Sequence, residues 1–433
     1  MGKIDYGVIK QRANHIKYKD YKVLKELAFA SKNLYNKATY IKRQDFFRIK
    51  AIRKSINRSN LPKDRKLALL KRSDLKLINY KKLYHIMKNE PEYKVLNANM
   101  SQQILKLVDE NFNSFFALLK IKKNKSYKSK VNLPNYLNKN GCFSLIIAEF
   151  SLKNKLFTIP MRNGYVNKRK ITFNVPSILI DKKVKQIRII PKQNARFFEI
   201  HYVYERKISN DIYNKNNALA VDLGINNLMT CVANKGNSFI VDGKHLKSVN
   251  QYTNKKSARL NSILDKQKIK SSKKLDRLWE KRNNIVKDYI LKSCRHVVEY
   301  CKSNDIGNIV LGFNEDMTRS VNLGKSNNQK ITNLPMGKIK EALTYMCKFE
   351  NIELHIQEES YTSKASFWDK DPIEKYNYSG TRIKRGLYKT STGTLINADI
   401  NGALNILKKS KVVGLKTLYC RGDVDTPKRI RLI

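Results

Sequence analysis

ALAVDLGINNLMTCVANKGNSFIVDG, residues 218–243, decides how the second half of the chain folds. ALAVD, MTCVA and SFIVDG are short apolar runs separated by tight turns, the second turn carrying NKGN, so they read as three successive strands. Downstream, an amphipathic helical stretch runs from about Lys244 to Lys302. Strand NIVLGF, a helix ending near Phe349, strand ELHIQ, a loop and a last helix from about Asp399 follow.

Three antiparallel strands followed by alternating helix and strand make a ribonuclease H-like pattern. Acidic residues stand at the ends of its elements. Asp222 ends ALAVD, and Gly224 just after it lets the chain turn so that the carboxylate projects from the strand end. Glu358 and Glu359 end ELHIQ. Asp399 precedes an amphipathic helix with Ala403, Leu404, Ile406 and Leu407 on its core side, and Asn397, Asn401 and Asn405, spaced by four, add hydrogen bonding on one face near the same point. Taken singly, each acid has an ordinary reading: a turn residue, a pair of exposed strand-end charges, a helix N-cap. Taken together, the carboxyl ends of neighbouring parallel strands gather where ligands bind, which puts Glu359 in the crevice of Asp222. Three carboxylates converging there can hold two magnesium ions, the arrangement for phosphodiester hydrolysis.

Charge points to the same substrate. The chain has 433 residues, with 88 Lys and Arg against 36 Asp and Glu, for a formal charge of +52. That excess calls for a polyanion, either nucleic acid or an anionic membrane surface. Hydrophobic content of 41% supports real cores, and the length suits two or three domains. No run approaches the ~20 apolar residues of a membrane span. MGKIDYGVIKQRANHIKY lacks the apolar core of a signal peptide, so the reading is a soluble, cytoplasmic protein. The six cysteines, Cys142, Cys231, Cys294, Cys301, Cys347 and Cys420, form no CxxC pair, which argues against a zinc ribbon and a disulfide framework. Cys294 and Cys301 share a helical face and read as core. The histidines show no HExxH spacing, and His201 and His355, in alternating strands, read as ordinary.

The first half changes period once. Leu24, Leu27, Ala28, Leu34, Tyr35 and Ala38 recur at helical spacing, as do Ile104, Val108, Phe112, Phe115, Phe116 and Leu119. Between them, IKRQDFFRIKAIRK and KDRKLALLKR interleave cations with rings, either as solvated faces or as a groove for phosphate and base. KIKKNKSYKSK, with six lysines from Lys120 to Lys130, reads as a linker. From about residue 131 the period is two: FSLIIAEF, KLFTIP, KITFNV, VKQIRIIP and FFEIHYVYER are short strands, and Phe198, Ile200, Tyr202 and Tyr204 share one face. This predicts a small antiparallel barrel. NDIYNKNN, residues 210–217, is a polar linker, and the tail TPKRIRLI reads as basic and loose.

VDLGINN, GNIVLGFNEDM, ESYTSKASF, GTRIKRGLY and NADINGALNIL, in that order, resemble the TnpB family, the OrfB proteins of bacterial insertion sequences related to type V CRISPR effectors. The likeness extends to SKNLYNKATYIKRQDFF and LPNYLNKNG and covers nearly the whole chain. It implies an α+β multidomain protein: a wedge barrel begun by residues 1–19 and completed by 121–210, a helical recognition domain over 20–120, and a RuvC-like α/β nuclease domain over 211–433 with inserted helices 244–302 and a basic loop 363–393. The implied activity is RNA-guided, magnesium-dependent DNA cleavage. The guide comes from the transposon end, and a short adjacent DNA motif licenses the duplex target. The implied site is Asp222, Glu359 and Asp399. Nucleic-acid contacts are expected from Lys122, Lys123, Lys125, Lys128, Lys130, Arg382, Lys384 and Arg385.

Two departures mark this chain. The family's usual glutamate position at the end of NIVLGF is Gly312 here. Glu315 and Asp316 follow it, but the likeness of ESYTSKAS to a branch with a relocated acid favours Glu359, with Glu358 in reserve. Where the family carries paired CxxC motifs, this chain has Ser366 and RIKRGLYK, so no zinc is expected and a metal-free loop takes over, contacting guide RNA or DNA. The alternatives are a guided complex that binds without cutting, and a transposase that joins strands with the same carboxylates.

Overall fold

A computed structural model describes residues 4–14, 16–124, 130–153, 155–164, 170–314, 335–415, 418, 424 and 426–432. The chain divides into two compact units, Ile4–Arg206 and Lys207–Ile433. No helix among the described residues is long and apolar enough to cross a membrane.

The first unit opens with β1 (Ile4–Arg12) and continues through α1 (Tyr18–Arg58), α2 (Lys63–Leu70), α3 (Tyr80–Met87), α4 (Pro91–Val95) and α5 (Ala98–Lys123). The helical repeats of α1 and α5 are fully buried at Leu24, Leu34, Ala38, Ile104 and Phe112. The stretch read as a linker from Lys120 begins later than expected, because α5 carries its lysines at 120, 122 and 123 as a last turn. Cations there offset the exposed carbonyls of the helix end. Short strands follow: β2 (Leu145–Ile147), β3 (Leu152–Lys153), β4 (Leu156–Thr158), β5 (Thr172–Asn174), β6 (Val184–Lys192) and β7 (Phe197–Lys207). They form two sheets, ordered β1-β7-β6-β2 and β3-β4-β5. On β7, Phe198, Ile200, Tyr202 and Tyr204 turn one face into the core, as period two requires.

The second unit is built on one sheet. β8 (Ala218–Leu223), β9 (Asn227–Ala233) and β10 (Ser238–Asp242) pair antiparallel in sequence. α6 (Lys244–Lys266) and α7 (Lys273–Ser303) lead to β11 (Asn308–Gly312), and α8 (Met336–Phe349) to β12 (Glu353–Gln357). β11 runs parallel to β8, and β12 parallel to β11. With β16 (Lys428–Ile430) at one edge, the sheet order is β12-β11-β8-β9-β10-β16. Alternation assigns the two faces. Leu219, Val221, Ile309 and Leu311 pack with α7 and α8, while Ala218, Ala220 and Val310 pack with the last helix, α9 (Ala398–Ser410).

The helical stretch from 244 to 302 holds two helices, and two other expectations change. The chain breaks after Lys266, takes a left-handed conformation at Lys268 (φ 53°), and restarts behind Ser272, whose hydroxyl accepts from the Leu275 amide. The loop 363–393 holds β13 (Thr381–Lys384) and β14 (Leu387–Lys389), which with β15 (Leu395–Asn397) make a three-stranded antiparallel sheet. The tail is not loose: β16 (Lys428–Ile430) pairs in parallel with β10. Cys231, Cys294, Cys301 and Cys347 are free thiols buried in one core, and Cys420 lies outside the described residues.

Candidate active site

Asp222 lies on β8 on the same face as Ala218 and Ala220, so alternation aims it towards α9. The turn after it needs glycine: a β-carbon at Gly224 would stand 2.6 Å from the Asn227 carbonyl oxygen. On α9, a β-carbon at Gly402 would stand 3.2 Å from Asp222 Oδ2, so the absence of a side chain there lets the helix close over the carboxylate. Desolvation pushes the Asp222 carboxyl well above its ordinary range. Glu359 and Asp399 push it further, and the Arg382 guanidinium pulls the other way.

Asp399 sits in the first turn of α9, but it is not the cap. Asn397 caps the helix, its Oδ1 accepting from the amides of Asp399 (3.0 Å) and Ile400 (3.2 Å). The Asp399 carboxylate thus makes other contacts: Asn227 Nδ2 donates to Oδ2 at 2.6 Å, and Arg382 Nη2 to Oδ1 at 3.1 Å. The other two asparagines of the four-residue repeat do not join this point. Asn401 accepts from the Phe367 amide and donates to the Ala365 carbonyl, and Asn405 donates to the carbonyls of Thr362 and Ala365. They clamp the loop after β12 onto α9.

That clamp bears on the third acid. Glu359 follows β12, and its side chain lies over Gly312 at the end of β11. A β-carbon at Gly312 would stand 2.8 Å from Glu359 Oε1 and 2.5 Å from Ile406 Cδ1. The space above position 312 is therefore filled by the carboxylate of 359. Burial, and then the charge of Glu358, raise the Glu359 carboxyl from its ordinary 4.5 to about 7. Glu358 points elsewhere. Although partial burial opposes its ionisation, hydrogen bonds from Lys409 (2.7 Å) and Ser360 hold its carboxyl below the usual range. Glu315 and Asp316 lie outside the described residues.

The structure adds residues that the sequence reading did not place at the site. Asn227, which holds Asp399, accepts at Oδ1 from Arg429 Nη1 (2.9 Å) on β16. The same guanidinium nitrogen donates to Asp242 Oδ1 at 3.0 Å. Asp242 is fully buried, with Arg431 Nη2 a further 3.6 Å from its other oxygen. A chain of contacts thus runs Asp242–Arg429–Asn227–Asp399. The available signal was an acid ending SFIVD in an otherwise apolar strand, beside a tail rich in arginine.

Carboxylate oxygens are suitable donors for a hard divalent cation, and the weakened acidities of Asp222 and Glu359, due first to burial and then to neighbouring carboxylates, mark a place where a cation would favour the ionised forms. As the side chains stand, no group of three acids, histidines or cysteines among the described residues closes tightly enough to hold one ion, and Arg382 and Asn227 take the two oxygens of Asp399. The expected nucleic-acid contacts fall into two sets. Lys122 and Lys123 end α5 and Lys130 follows it, all exposed, while Lys125 and Lys128 lie outside the described residues. Arg382 and Lys384 belong to β13 and Arg385 to the turn after it. All three are exposed, and Arg382 also contacts Asp399.

Residues 201–318 match the family model OrfB_IS605, described as a probable transposase, and residues 337–406 match that of the Cas12f1-like TNB domain. The TnpB-like protein ORF457 of Acidianus two-tailed virus is 25% identical over 428 residues, covering 89% of this chain and 83% of the relative. Among solved structures, the cryo-EM Cas12f1–sgRNA–target DNA complex superposes with a TM-score of 0.51 at 14% identity, covering 91% of this chain and 87% of that one. At that identity the likeness concerns the fold, an α+β arrangement of helical and sheet domains.

Proposed function

From its likeness to TnpB-family proteins we propose that the chain is an RNA-guided DNA endonuclease of that family whose RuvC-type site is Asp222, Glu359 and Asp399. The observation that carries the site is the Glu359 carboxylate lying over Gly312, which supplies an acid where the strand itself has none. Residues 211–433 are then the nuclease domain, 20–120 the helical recognition domain, and 1–19 with 121–210 the wedge barrel. The partners are a guide RNA from the transposon end and a duplex DNA carrying a short adjacent motif. The place of action is the bacterial cytoplasm, at the nucleoid.

The three carboxylates would hold two magnesium ions, which when bound supply an activated water and stabilise the leaving oxygen. The protein's own part is to orient and to neutralise. Gly402 and Gly224 keep Asp222 at the strand end, the Asn405 and Asn401 clamps set the loop carrying Glu359, and Asn227 fixes one oxygen of Asp399. Arg382 balances Asp399 and, as a planar fork of donors, suits a backbone phosphate once that pairing is exchanged. Lys384 and Arg385 on the same hairpin extend the positive surface towards the scissile strand.

The test is to express the protein with its flanking genomic DNA, sequence the RNA that co-purifies, and challenge the complex with a matching duplex and magnesium. A discrete RNA and guided cutting are expected. Robust sequence-directed cutting by RNA-free protein would overturn the reading. Guided binding without any cutting identifies a binding protein, and joined rather than hydrolysed products identify a transposase.

A further inference from the structure

The core-facing stripe of α1 changes character halfway along. At Leu34, Ala38 and Lys42 it is buried, and the one cation there, Lys42, is paired with Asp109. From Phe46 the stripe continues at helical spacing through Ile49 and then turns basic, with Lys50, Arg53, Lys54 and Arg58 facing a cavity of about 610 Å³. Ile49 and Leu75, both buried, and Leu77 give it an apolar floor. Phe116 of α5, 38% exposed, forms a wall 6.0 Å from the Phe46 ring, and Phe115 backs Phe46 edge-on at 5.9 Å. No carboxylate lines the cavity. Lys50, Lys54 and Arg58 make no ion pair with any described residue, and Arg53 is tied to the wall by donating to the Leu75 carbonyl at 3.1 Å. Like charges at three- and four-residue spacing on one helix repel one another, so the stripe is destabilising until an anion arrives.

A ligand for this cavity needs a flat apolar face for the floor and ring, and anionic groups at short intervals beside it. A base with its flanking phosphates has both. A duplex does not offer them, because its bases face one another rather than a protein ring. We propose that the α1 groove seats one unstacked base of a single-stranded nucleic acid against Phe116 and the Leu75–Leu77 floor, with Lys50, Lys54 and Arg58 on the adjoining phosphates. This goes beyond the cleavage reading and needs neither an active site nor a guide.

The experiment uses the full chain in EDTA, titrated with single-stranded DNA and RNA dodecamers carrying one central 2-aminopurine, with the same sequence as a duplex for comparison. The seated base should be quenched on binding. Phe116→Ala should remove that quench and weaken single-strand binding by roughly five- to hundredfold, the range for one base–ring stack. Lys50→Gln with Arg58→Gln, both exposed and safe for folding, should lower the log–log salt slope by roughly 0.7 per lost phosphate contact. Duplex affinity should stay unchanged in every variant. The DNA and RNA arms show which strand the groove takes. The proposal is overturned if both variants keep wild-type quench, affinity and salt slope, or if the duplex is weakened equally. It is also overturned if anionic lipid vesicles displace the wild-type quench while single strands without the probe do not. Loss of cleavage in active-site variants leaves all these readouts intact, so the two readings fail separately.

Discussion

The acid crevice takes its residues from positions 222, 359 and 399, brought together by β8, the segment after β12 and the first turn of α9. The basic groove takes its cations from positions 50–58, within about two turns of one helix. In the crevice burial first, and neighbouring carboxylates second, make Asp222 and Glu359 resist ionisation, and on the proposed reading each side chain has a role the others do not cover. In the groove the charges act in parallel, and each adds a little. Their signs also differ, which on the proposed readings suits a cation at one place and a polyanion at the other. A charge site assembled from distant stretches is therefore expected to fail abruptly on substitution, and one assembled along a helix to fade.

The largest effect should come from the crevice. Asp222→Asn, Asp399→Asn and Glu359→Gln should each slow guided DNA cleavage by roughly a thousandfold or more while sparing DNA binding, because charge stabilisation by bound metal supplies much of the barrier reduction. Single-turnover cleavage beside a mobility-shift assay checks this, and Glu315→Gln, which should cut normally, is the control. If Glu359→Gln cuts and Glu315→Gln does not, the acid belongs to the other segment.

Arg429 tests how far the crevice extends. Arg429→Gln should lower the cleavage rate about 10- to 100-fold, the usual cost of losing a residue that orients a metal ligand. Arg429→Lys keeps a positive charge for buried Asp242 but not the guanidinium that spans Asp242 and Asn227. The lysine variant should therefore recover the melting temperature and not the rate. A rate that simply tracks melting temperature in both variants would make β16 structural only.

Gly312→Ala should cost about 1–3 kcal/mol, since its new carbon must displace either Ile406 or Glu359. Denaturant unfolding measures the loss.

The pH dependence is smaller. The folded Glu359 carboxyl holds its proton up to about 7 while the unfolded one releases it near 4.5, so the folded state binds more protons between those values. Stability from this group is present below about 4.5 and is lost as pH rises through about 7. Metal-free protein should melt a few degrees lower at pH 8 than at pH 5 on this account, and Glu359→Gln should flatten that difference in a thermal scan.

Smallest of all, Lys54→Gln should change single-strand affinity less than threefold, as expected where one of several phosphate contacts is removed. A collapse of binding from that one change would mean that the groove, too, depends on a single residue.

Much of the crevice was legible because strand alternation and glycine turns are local signals. Asp222 stands at the end of an apolar run beside Gly224, and its neighbours Ala218 and Ala220 already show which face it shares. Illegible features depended on distant partners or on polar residues without a period. Thr381–Lys384 is exposed throughout, so β13 has no buried alternation to betray it. Lys428–Ile430 becomes a strand because β10 offers an open edge, which its own composition does not reveal. Lys and Ser across 267–274 continue the polar face of either helix, which hides the break between α6 and α7. Asn401 and Asn405 carried the right spacing, but their partners are backbone groups of residues 362–367.

Gly312 and Glu359 occupy one volume between them, and this has a bearing on inheritance. A side chain at 312 crowds a glutamate at 359, a large one far more than alanine, and a chain with an acid at neither position would lack the proposed third carboxylate. On the proposed site, the two positions should therefore pass through descent as one character, although 46 residues that include α8 separate them. Recombination with a relative whose acid sits on the β11 strand breaks that character whenever the crossover falls between them. One chimera receives two acids in a space built for one, and the reciprocal chimera receives none. Gene conversion across this segment should leave viable mosaics only when both positions travel together.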